Sequence, residues 1–554
     1  MKLAKQRIVY AISKTFDSIE NELFMNKRLL TKVSLILMLS GHWLVAANEA
    51  ASPAPDGHTH EPIAWVLRGL ENNFGLRIDR SALLTSQDRV EVTLGEFVTR
   101  FVSQARFSRS ERRQNRLEFN QSGQVADIFD EDVLQLRVGL EQQFTSGARA
   151  SISNVSSRTV NPTTRRGLEL SQAGGGITIQ GPAFSPEYQS ITVLNVAQPL
   201  LQGRGSRATL AENRLARIGV DEAALRVRAS AERLIGQILV TYAEVVFARE
   251  NLKVKEDAVR LAENLVGENR RRVEEGMMSP IDVTQAQARR AEAMEEVVSA
   301  RVFLLERINR LLGLTQRNFD SSESVNITGS VDHLIPGVDA DGVEVARYAL
   351  MTNPAFLAIL KRAEVEDVRL AFARDQVLPR LDLEGSLGLN GLGGNFRDSF
   401  SDYGTDNRNP DWSVGLTFSV PLDRKAERAQ VRIANRAKEQ ALMEIKQAEI
   451  QLLVELENAL QEYRATLERI EFVKESVRLA EEGLRSEERR LASGVTTSYN
   501  VLNQQRDLSF ARTRALAANV ESFSALVQLY LIKGTLSQML NLELNTGRQV
   551  ALAQ

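Results

Sequence analysis

Residues 260–287 read RLAENLVGENRRRVEEGMMSPIDVTQAQ, and residues 478–505 read RLAEEGLRSEERRLASGVTTSYNVLNQQ. The two stretches align without a gap. They share Arg260, Leu261, Ala262, Glu263, Gly276, Val283 and Gln287 of the first copy. The likeness extends outward, because VLNVAQPLLQGRGSRA (193–208) corresponds to GLTFSVPLDRKAERA (415–429), and INRLLGLT (308–315) to QLYLIKGTL (528–536). This duplication predicts two copies of one unit, each with a strand, a Pro-Leu step, a long helix, a glycine turn and a second helix.

The helices on either side of each turn are predicted to be long. No proline occurs between Pro199 and Pro280, and none follows Pro421. In residues 422–493 the apolar positions recur every three or four residues, which is typical of a coiled-coil seam. About 70 helical residues at 1.5 Å each correspond to a rod of roughly 105 Å. No compact globular domain needs a helix of that length.

Each rod is predicted to fold back on itself as a tight helical hairpin. Gly276 can adopt the left-handed conformation that ends a helix, and Ser279 is placed to cap the next one. Pro280 suits the first helical turn, and Asp282 stands three residues after the cap, close to a capping box. The matching residues of the second copy are Gly494, Thr497, Ser498 and Asn500.

Four segments are predicted as strands. Apolar and polar residues alternate in RLDLEGSLGLN (380–390), in DWSVGLTFSV (411–420) and from Leu134 to Leu140, and the repeat places a fourth strand near 189–198. Strands with one apolar and one polar face suit a membrane barrel with a wet lumen, although a half-buried strand of a soluble sheet has the same pattern. Four strands cannot close a barrel, so several chains would have to share one. Counting alone permits two, three or more.

The N-terminal region has the pattern of a signal peptide. From Met25, a basic segment with Lys27 and Arg28 precedes an apolar run and small residues near Ala46. Met25 is a candidate start, and a short membrane anchor is the alternative. The predicted divisions are 1–50 for the signal peptide region, 51–90 for a flexible lead-in, 91–315 and 316–540 for the two repeats, and 541–554 for a peripheral tail.

Composition argues against several classes of protein. The chain has no cysteine, which excludes thiol catalysis and disulfide scaffolds. Lys and Arg total 69 against 71 for Asp and Glu, so there is no basic excess for nucleic acid. The four histidines form no ligand pattern, and the glycine cluster at 388–394 lacks the residues of a phosphate-binding loop. We therefore predict no enzyme activity, no cofactor and no metal site.

The arrangement resembles the TolC-like outer-membrane efflux protein family. The matching features are QPLLQG and VPLDRK after the strands, the turns EEGMMSPIDVTQAQ and ASGVTTSYNVLNQQ, and the helix in NPAFLAILKRAEVEDVRLAFARDQVLPRLDLEG (353–385). The resemblance implies a mainly α protein with β-strands: a homotrimer with a 12-stranded shared barrel that continues into an α-helical periplasmic tunnel. It also implies outer-membrane lipid, a periplasmic adaptor and an inner-membrane transporter as partners.

The same resemblance places a gate and an adaptor contact at the two turns. Its residues would be Gly276, Ser279, Asp282, Gly494, Thr496, Thr497, Asn500 and Asn503. Asp282 matches an acidic residue of the family's closing network and is equally explained as a helix-capping carboxylate. Asn500 and Asn503 stand where the best-known members carry two aspartates, and Thr496 stands where they carry an arginine. A neutral ring would select weakly for cations.

The sequence thus predicts a passive outer-membrane duct of a tripartite efflux or type I secretion system. The alternatives are a periplasmic adaptor, which normally has one helical hairpin, and a coiled-coil scaffold of the envelope. Two equivalent hairpins with two strand pairs favour the duct. The sequence leaves open whether the cargo is a drug, a metal ion or a protein.

Overall fold

The computed structural model describes residues 62–116, 119, 128–161, 186–320, 327, 342–405, 410–543 and 551–552. The predicted signal peptide region, Met25 and the histidines of the lead-in lie outside these residues. In chain order the elements are α1 (Pro62–Asn72), α2 (Phe74–Leu94), β1 (Arg100–Arg113), β2 (Ile128–Gln143), β3 (Arg149–Val160), β4 (Glu187–Pro199), α3 (Ser206–Thr209), α4 (Ala211–Glu274), α5 (Pro280–Thr315), α6 (Gly342–Thr352), α7 (Pro354–Gln376), β5 (Arg380–Gly393), α8 (Phe396–Thr405), β6 (Asp411–Ser419), α9 (Lys425–Ala492), α10 (Ser498–Lys533), α11 (Leu536–Met539), β7 (Leu542–Glu543) and β8 (Ala551–Leu552).

The described residues form two units. One unit contains Phe97–Arg204 and Pro379–Val420, and its strands form a six-stranded antiparallel sheet in the order β1 to β6. The other contains the helices α1 to α7 and α9 to α11. Each unit is built from segments far apart in the chain, as the duplication predicts.

The prediction of four strands is wrong, because the described sheet has six. The segment from Leu134 to Leu140 lies in β2, and the strand that pairs with β4 is β3. β3 was not predicted because its sequence, RASISNVSSRTV, carries Ser or Asn on both faces and has no clear alternation. β1 was not predicted because its alternation rests on little more than Phe101 and Phe107.

β5 and β6 have the faces that their alternation predicts. Leu387 pairs with Trp412 on one face, and both side chains are exposed. On the other face Ser386 and Ser413 share a hydrogen bond of 2.8 Å between their hydroxyls. The short helix α8 covers one end of the apolar face, where the Ser399 hydroxyl lies 2.9 Å from that of Ser190.

The helical unit contains the two predicted hairpins, α4 with α5 and α9 with α10. α4 has 64 residues and α9 has 68, so each is about 100 Å long at 1.5 Å per residue. The core joins both hairpins, since Ile238 and Tyr242 of α4 pack in one buried cluster with Leu312 of α5 and Tyr530 of α10. The repeat therefore folds as one helical unit.

The region from residue 62 onward is helical and packed, which corrects its assignment as part of a flexible lead-in. Trp65 and Leu70 of α1 are buried in the core of the helical unit. Asn73 accepts a hydrogen bond from the N–H of Leu76 at the start of α2 and donates one to the carbonyl of Leu314 at the end of α5.

The second repeat contains the same device. Asn353 accepts from the N–H of Phe356 at the start of α7 and donates 2.7 Å to the carbonyl of Ile532 at the end of α10. Each asparagine thus begins one helix and ties it to the end of another, which satisfies terminal groups of both. The duplication therefore includes α1–α2 and α6–α7.

The segment after α10 is also tied into the helical unit. Gly534 adopts a left-handed φ of 72°, and the N–H of Ser537 then donates 3.0 Å to the Glu232 carboxylate of α4. Glu232 is buried, and its burial raises the pKa of the carboxyl although the Ser537 hydrogen bonds act in the opposite direction. Leu542 is buried too, so the predicted peripheral tail begins within packed structure.

Among the described helices, α10 is long and apolar enough to cross a membrane by composition alone. Its most apolar stretch has a mean hydropathy of 1.4, and half of that stretch is buried within the protein. The buried face packs in the core of the helical unit, with Leu526 and Leu529 among its residues. A core helix of a helical domain has the same properties.

Candidate functional site: the tips of the two helical hairpins

The first hairpin turns at a glycine-terminated helix end. Gly276 has a φ of 75°, its N–H donates to the carbonyl of Val273 at 3.0 Å, and the N–H of Met277 donates to that of Arg272 at 2.8 Å. This pair of bonds is a Schellman motif, which satisfies the last carbonyls of α4. A Cβ added to Gly276 would meet no atom within 4 Å, so the glycine is needed for its backbone conformation alone.

The second hairpin has the same turn. Gly494 has a φ of 71°, its N–H donates to Leu491 at 3.0 Å, and the N–H of Val495 donates to Arg490 at 2.9 Å. The prediction that Gly276 and Gly494 end the first helix of each hairpin in a left-handed conformation is therefore confirmed.

The return helices begin where predicted, but without the predicted side-chain caps. Ser279 and Thr497 stand at the cap positions with extended backbone, and neither hydroxyl makes a capping hydrogen bond. The N–H of Asp282 donates instead to the Ser279 carbonyl at 3.0 Å, and that of Asn500 to the Thr497 carbonyl at 3.1 Å. This tight first turn uses the donor that the cap hydroxyl would need. The predicted cap at Ser279 is therefore wrong in its chemistry and right in its position.

A buried polar contact joins the two hairpins beside the turns. Asn269 of α4 and Ser498 of α10 are both fully buried, and the Ser498 hydroxyl donates 3.2 Å to the Asn269 Oδ1. The Asn269 Nδ2 donates 3.2 Å to the backbone carbonyl of Asp282. Asn269 thus holds the turn of its own hairpin and the first turn of the other hairpin's return helix.

Arg272 makes a second contact between the hairpins. Its Nη1 donates 2.8 Å to the carbonyl of Leu491, in the last turn of α9, while its Nε donates 2.9 Å to Glu268. A cation at a helix C-terminus is favourable, because the last carbonyls lack helical partners and carry partial negative charge. We call the contacts of Asn269 and Arg272 with the second hairpin the tip junction.

The second copy makes its corresponding contacts within its own turn. Glu487 occupies the repeat position of Asn269, and its carboxylate accepts from the Thr496 hydroxyl at 3.2 Å and pairs with Arg490 at 3.1 Å. The Asn500 Nδ2 donates 2.9 Å to the Thr496 hydroxyl. The duplication is therefore broken at this position, because Asn269 contacts the other hairpin and Glu487 contacts its own turn.

An apolar cluster lies next to the tip junction. Its buried members are Leu265, Leu484, Leu491, Val501, Leu502 and Leu508. Met278 packs against this cluster, and its sulfur lies 3.7 Å from the Ser498 hydroxyl. Buried apolar neighbours exclude water, so the polar groups of the junction depend on one another for hydrogen bonds.

The structure brings the predicted residues to two adjacent turns, with differences in exposure. Gly276, Ser279, Gly494, Thr497 and Asn500 are exposed, whereas Asp282, Thr496 and Asn503 are partly buried. The residues that connect the turns are ones that sequence analysis did not select. A usable signal existed for Asn269, which continues the apolar seam of Ala262 and Leu265 at a position where a polar residue is unusual.

Among the residues that the structure describes, no group of three or more His, Asp or Glu side chains is arranged to hold a metal ion. The arrangement at the tips instead offers a set of contacts between two hairpins that can be made or broken.

Comparisons with known proteins match this architecture. Residues 345–535 match the family model described as outer membrane efflux protein. That range holds most of α6 and all of α7, β5, α8, β6, α9 and α10, which are the main elements of the second repeat. By sequence alone, no curated protein matches the chain.

Several solved structures share the fold over most of the chain. The outer-membrane channel OprN is similar with a TM-score of 0.60 and 18% identity, over 85% of this chain and 89% of that one. CusC is similar with a TM-score of 0.62 and 12% identity, over 86% and 92%. The outer membrane protein VceC from Vibrio cholerae has a TM-score of 0.59 and 16% identity, over 85% and 96%.

Proposed function

We propose that this chain, whose residues 345–535 match the outer membrane efflux protein family, is a passive outer-membrane duct with a gate at the tips of its helical hairpins. The observation that carries the gate is the tip junction, where the first hairpin is hydrogen-bonded to the second through Asn269 and Arg272. Substrate would be driven through the duct by a partner's energy.

The two units suit two different surroundings. The sheet exposes a broad apolar face, with Trp412 and Phe101 among its most exposed side chains, as a lipid-facing wall requires. The longer helices of the two hairpins, α4 and α9, are about 100 Å long, as a periplasmic passage requires. The family is one of the outer membrane, so the sheet is assigned to that membrane and the hairpins to the periplasm.

A homotrimer follows as part of the proposal. An open sheet cannot span a membrane, because unpaired backbone groups at its edges would lie in lipid. Six strands are fewer than the roughly eight of the smallest bacterial barrels, so one chain cannot close the wall alone. Three copies, each giving two hairpins, would surround the passage with six hairpins.

The partners are proposed from the family and from the tips. A periplasmic adaptor would contact the turns at Gly276–Asp282 and Gly494–Asn500, and an inner-membrane transporter would supply substrate. Both turns expose apolar side chains, Met277 in the first and Val495 in the second, which give an adaptor hairpin a surface to bind. Binding there would favour the state in which the tip junction is broken.

The narrowest ring is proposed at Asn500 and Asn503, one helical turn apart on α10. Residues three apart share a helix face, so three copies would present six amides to the passage. Such a ring is neutral, and we expect weak ion selectivity.

The alternative of an adaptor or a coiled-coil scaffold is not favoured. A scaffold has no use for a six-stranded sheet with an exposed apolar face, and an adaptor normally has a single hairpin. The structures of similar fold described above are outer-membrane channels and outer-membrane proteins.

The test is single-channel recording of the detergent-extracted protein in a planar bilayer, with Asn500→Asp and Asn503→Asp combined in one variant. We expect small currents that become more cation-selective in the variant. Asn458→Asp is the matched control, since it adds the same charge at an exposed position of α9 far from the turns and should leave selectivity unchanged. A stable trimer that never conducts, with or without the aspartates, would contradict the duct, as would a monomer that never enters a bilayer.

A further inference from the structure

In the described residues the first repeat has four strands and the second has two, so the β1–β2 hairpin is an addition to the plan that the repeats share. It lies between α2 and β3 in the chain, and the second repeat has no equivalent, since α7 leads to β5 within four residues. The hairpin is joined to the sheet by β2, which pairs with β3 from Asp132–Val160 to Gln143–Arg149. A tight turn at Gly147, with a φ of 88°, connects β2 to β3.

The position of β2 determines which strand forms the edge of the sheet. β3 has β2 on one side and β4 on the other, so both of its backbone edges are in use. The free edges belong to β1 and β6. A second copy that closes the wall therefore meets β1, and β3 is not available to it.

A row of apolar side chains crosses the sheet from one free edge to the other. The cross-strand pairs place six residues in line on one face: Phe101, Leu140, Ile152, Leu194, Leu387 and Trp412. All six are exposed. The two residues from the added hairpin thus continue the apolar face of the other four strands.

The apolar belt also has the slope of a tilted barrel wall. On β1 it runs from Phe101 to Phe107 and on β6 from Trp412 to Phe418. Phe101 and Trp412 lie in the same cross-strand row but at opposite ends of the belt, because β1 and β6 run in opposite directions. The centre of the belt therefore shifts along the strands by about six residues over the five steps from β1 to β6. At roughly 3.3 Å per residue and 4.8 Å between strands, this slope corresponds to a strand tilt of about 40°. Membrane barrels have tilts of about 35–45°.

From these observations we propose that the β1–β2 hairpin is part of the membrane wall, so that each copy contributes six strands and β1 of one copy pairs with β6 of the next. The proposal rests on the trimeric duct proposed above, and for three copies it gives a wall of eighteen strands where the resemblance implied twelve. Because the six strands alternate in direction, β1 and β6 of neighbouring copies meet antiparallel, as neighbouring strands do in bacterial outer-membrane barrels.

The apolar belt predicts the register in which β1 of one copy pairs with β6 of the next. If the belts of the two copies lie at the same height in the membrane, Phe101 lies opposite Phe418 of the next copy, Ala105 opposite Val414, and Phe107 opposite Trp412. Within one chain Ala105 and Val414 lie on the two outermost strands of the six, and five steps of 4.8 Å separate these strands by roughly 24 Å across the sheet. A disulfide between them can therefore form only between copies.

The test is disulfide cross-linking in the intact protein, which has no cysteine of its own. The variant Ala105→Cys with Val414→Cys, and the second pair Ser103→Cys with Leu416→Cys, are oxidised in membranes and separated by gel electrophoresis without reductant. We expect most of the monomer to convert to dimer and trimer bands that reductant abolishes. The control is Ile152→Cys with Val414→Cys, which joins β3 to β6 and should stay monomeric.

The outcomes separate this proposal from the proposed function. Cross-linking in the β3–β6 control would place the hairpin outside the wall and overturn the inference, while a trimeric duct would stand. No cross-link in either β1–β6 pair, with the cysteine-free parent still trimeric by native mass spectrometry, would also overturn it. A monomeric parent would instead remove the proposed function itself.

Discussion

Replacing Asn269 by Leu should release the gate. The substitution removes the hydrogen bonds of Asn269 with the buried Ser498 hydroxyl and with the Asp282 carbonyl. Losing such a bond costs a polar group of a buried contact about 1–3 kcal/mol, and the added burial of Leu offsets about 1–2 kcal/mol. We expect the closed tip to lose about 1–3 kcal/mol relative to an open tip in which water reaches these groups. Since 1.4 kcal/mol is a factor of about ten, the open probability should rise roughly five- to hundredfold.

The assay is single-channel recording of purified trimers, with the fraction of time in the conducting state as the measured quantity. The matched control is Asn264→Leu, the same substitution on an exposed position of the same helix, which should change little. A double-mutant cycle with Ser498→Ala isolates the contact, and its coupling energy should be about 0.5–1.5 kcal/mol.

Two results would refute the reasoning. If Asn269→Leu lowers thermal stability but leaves the open probability at the wild-type value, the tip junction stabilises the fold and does not gate it. If the effects of Asn269→Leu and Ser498→Ala simply add, the hydroxyl and the amide do not act as a pair.

Three further predictions follow from the helical unit. Gly534→Ala should lower the free energy of unfolding by about 2–5 kcal/mol, because the left-handed φ costs about 1–2 kcal/mol and the new Cβ lies 2.8 Å from the carbonyl oxygen of Thr352. Gly494 has nearly the same φ with open space around it, so Gly494→Ala should lose only the backbone contribution. Thermal unfolding of the two variants compares these losses. Glu232→Gln tests the raised pKa of the Glu232 carboxyl. Because the folded state holds the proton more tightly than the unfolded chain, the stability that this group contributes is lost as the pH rises. Between about pH 4 and about pH 7 the melting temperature of the wild type should therefore fall more than that of the variant. Arg272→Met should raise the open probability as Asn269→Leu does, because it removes the charged donor to the second hairpin, and an unchanged closed state would count against the tip junction.

The sequence was sufficient wherever the determining physics is local. The duplication predicted the paired hairpins, and the three-and-four spacing of apolar residues predicted α9 as a helix of about the observed length. Gly276 and Gly494 could be assigned to the turns because a left-handed backbone position favours glycine in any context. β5 and β6 were found because alternation with period two reflects a strand with one apolar face.

The local rules failed where a competing local contact or a distant partner decides. The caps at Ser279 and Thr497 were predicted from residue type, and the tight first turn removed the donor that they would bind. β1 and β3 carry too little alternation to be recognised, and they are strands because β2 and β4 supply their hydrogen bonds.

The sequence by itself determined the repeated unit, the hairpins and their glycine turns, because propensity, period and left-handed backbone act over a few residues. Only the tertiary structure decided the order of the six strands, and with it which strands are left as edges. It alone also brought Asn269 to Ser498, 229 residues away, and so broke the symmetry of the two repeats. Contacts at such separation depend on how whole helices pack, and a buried polar pair is satisfied only when both partners arrive together.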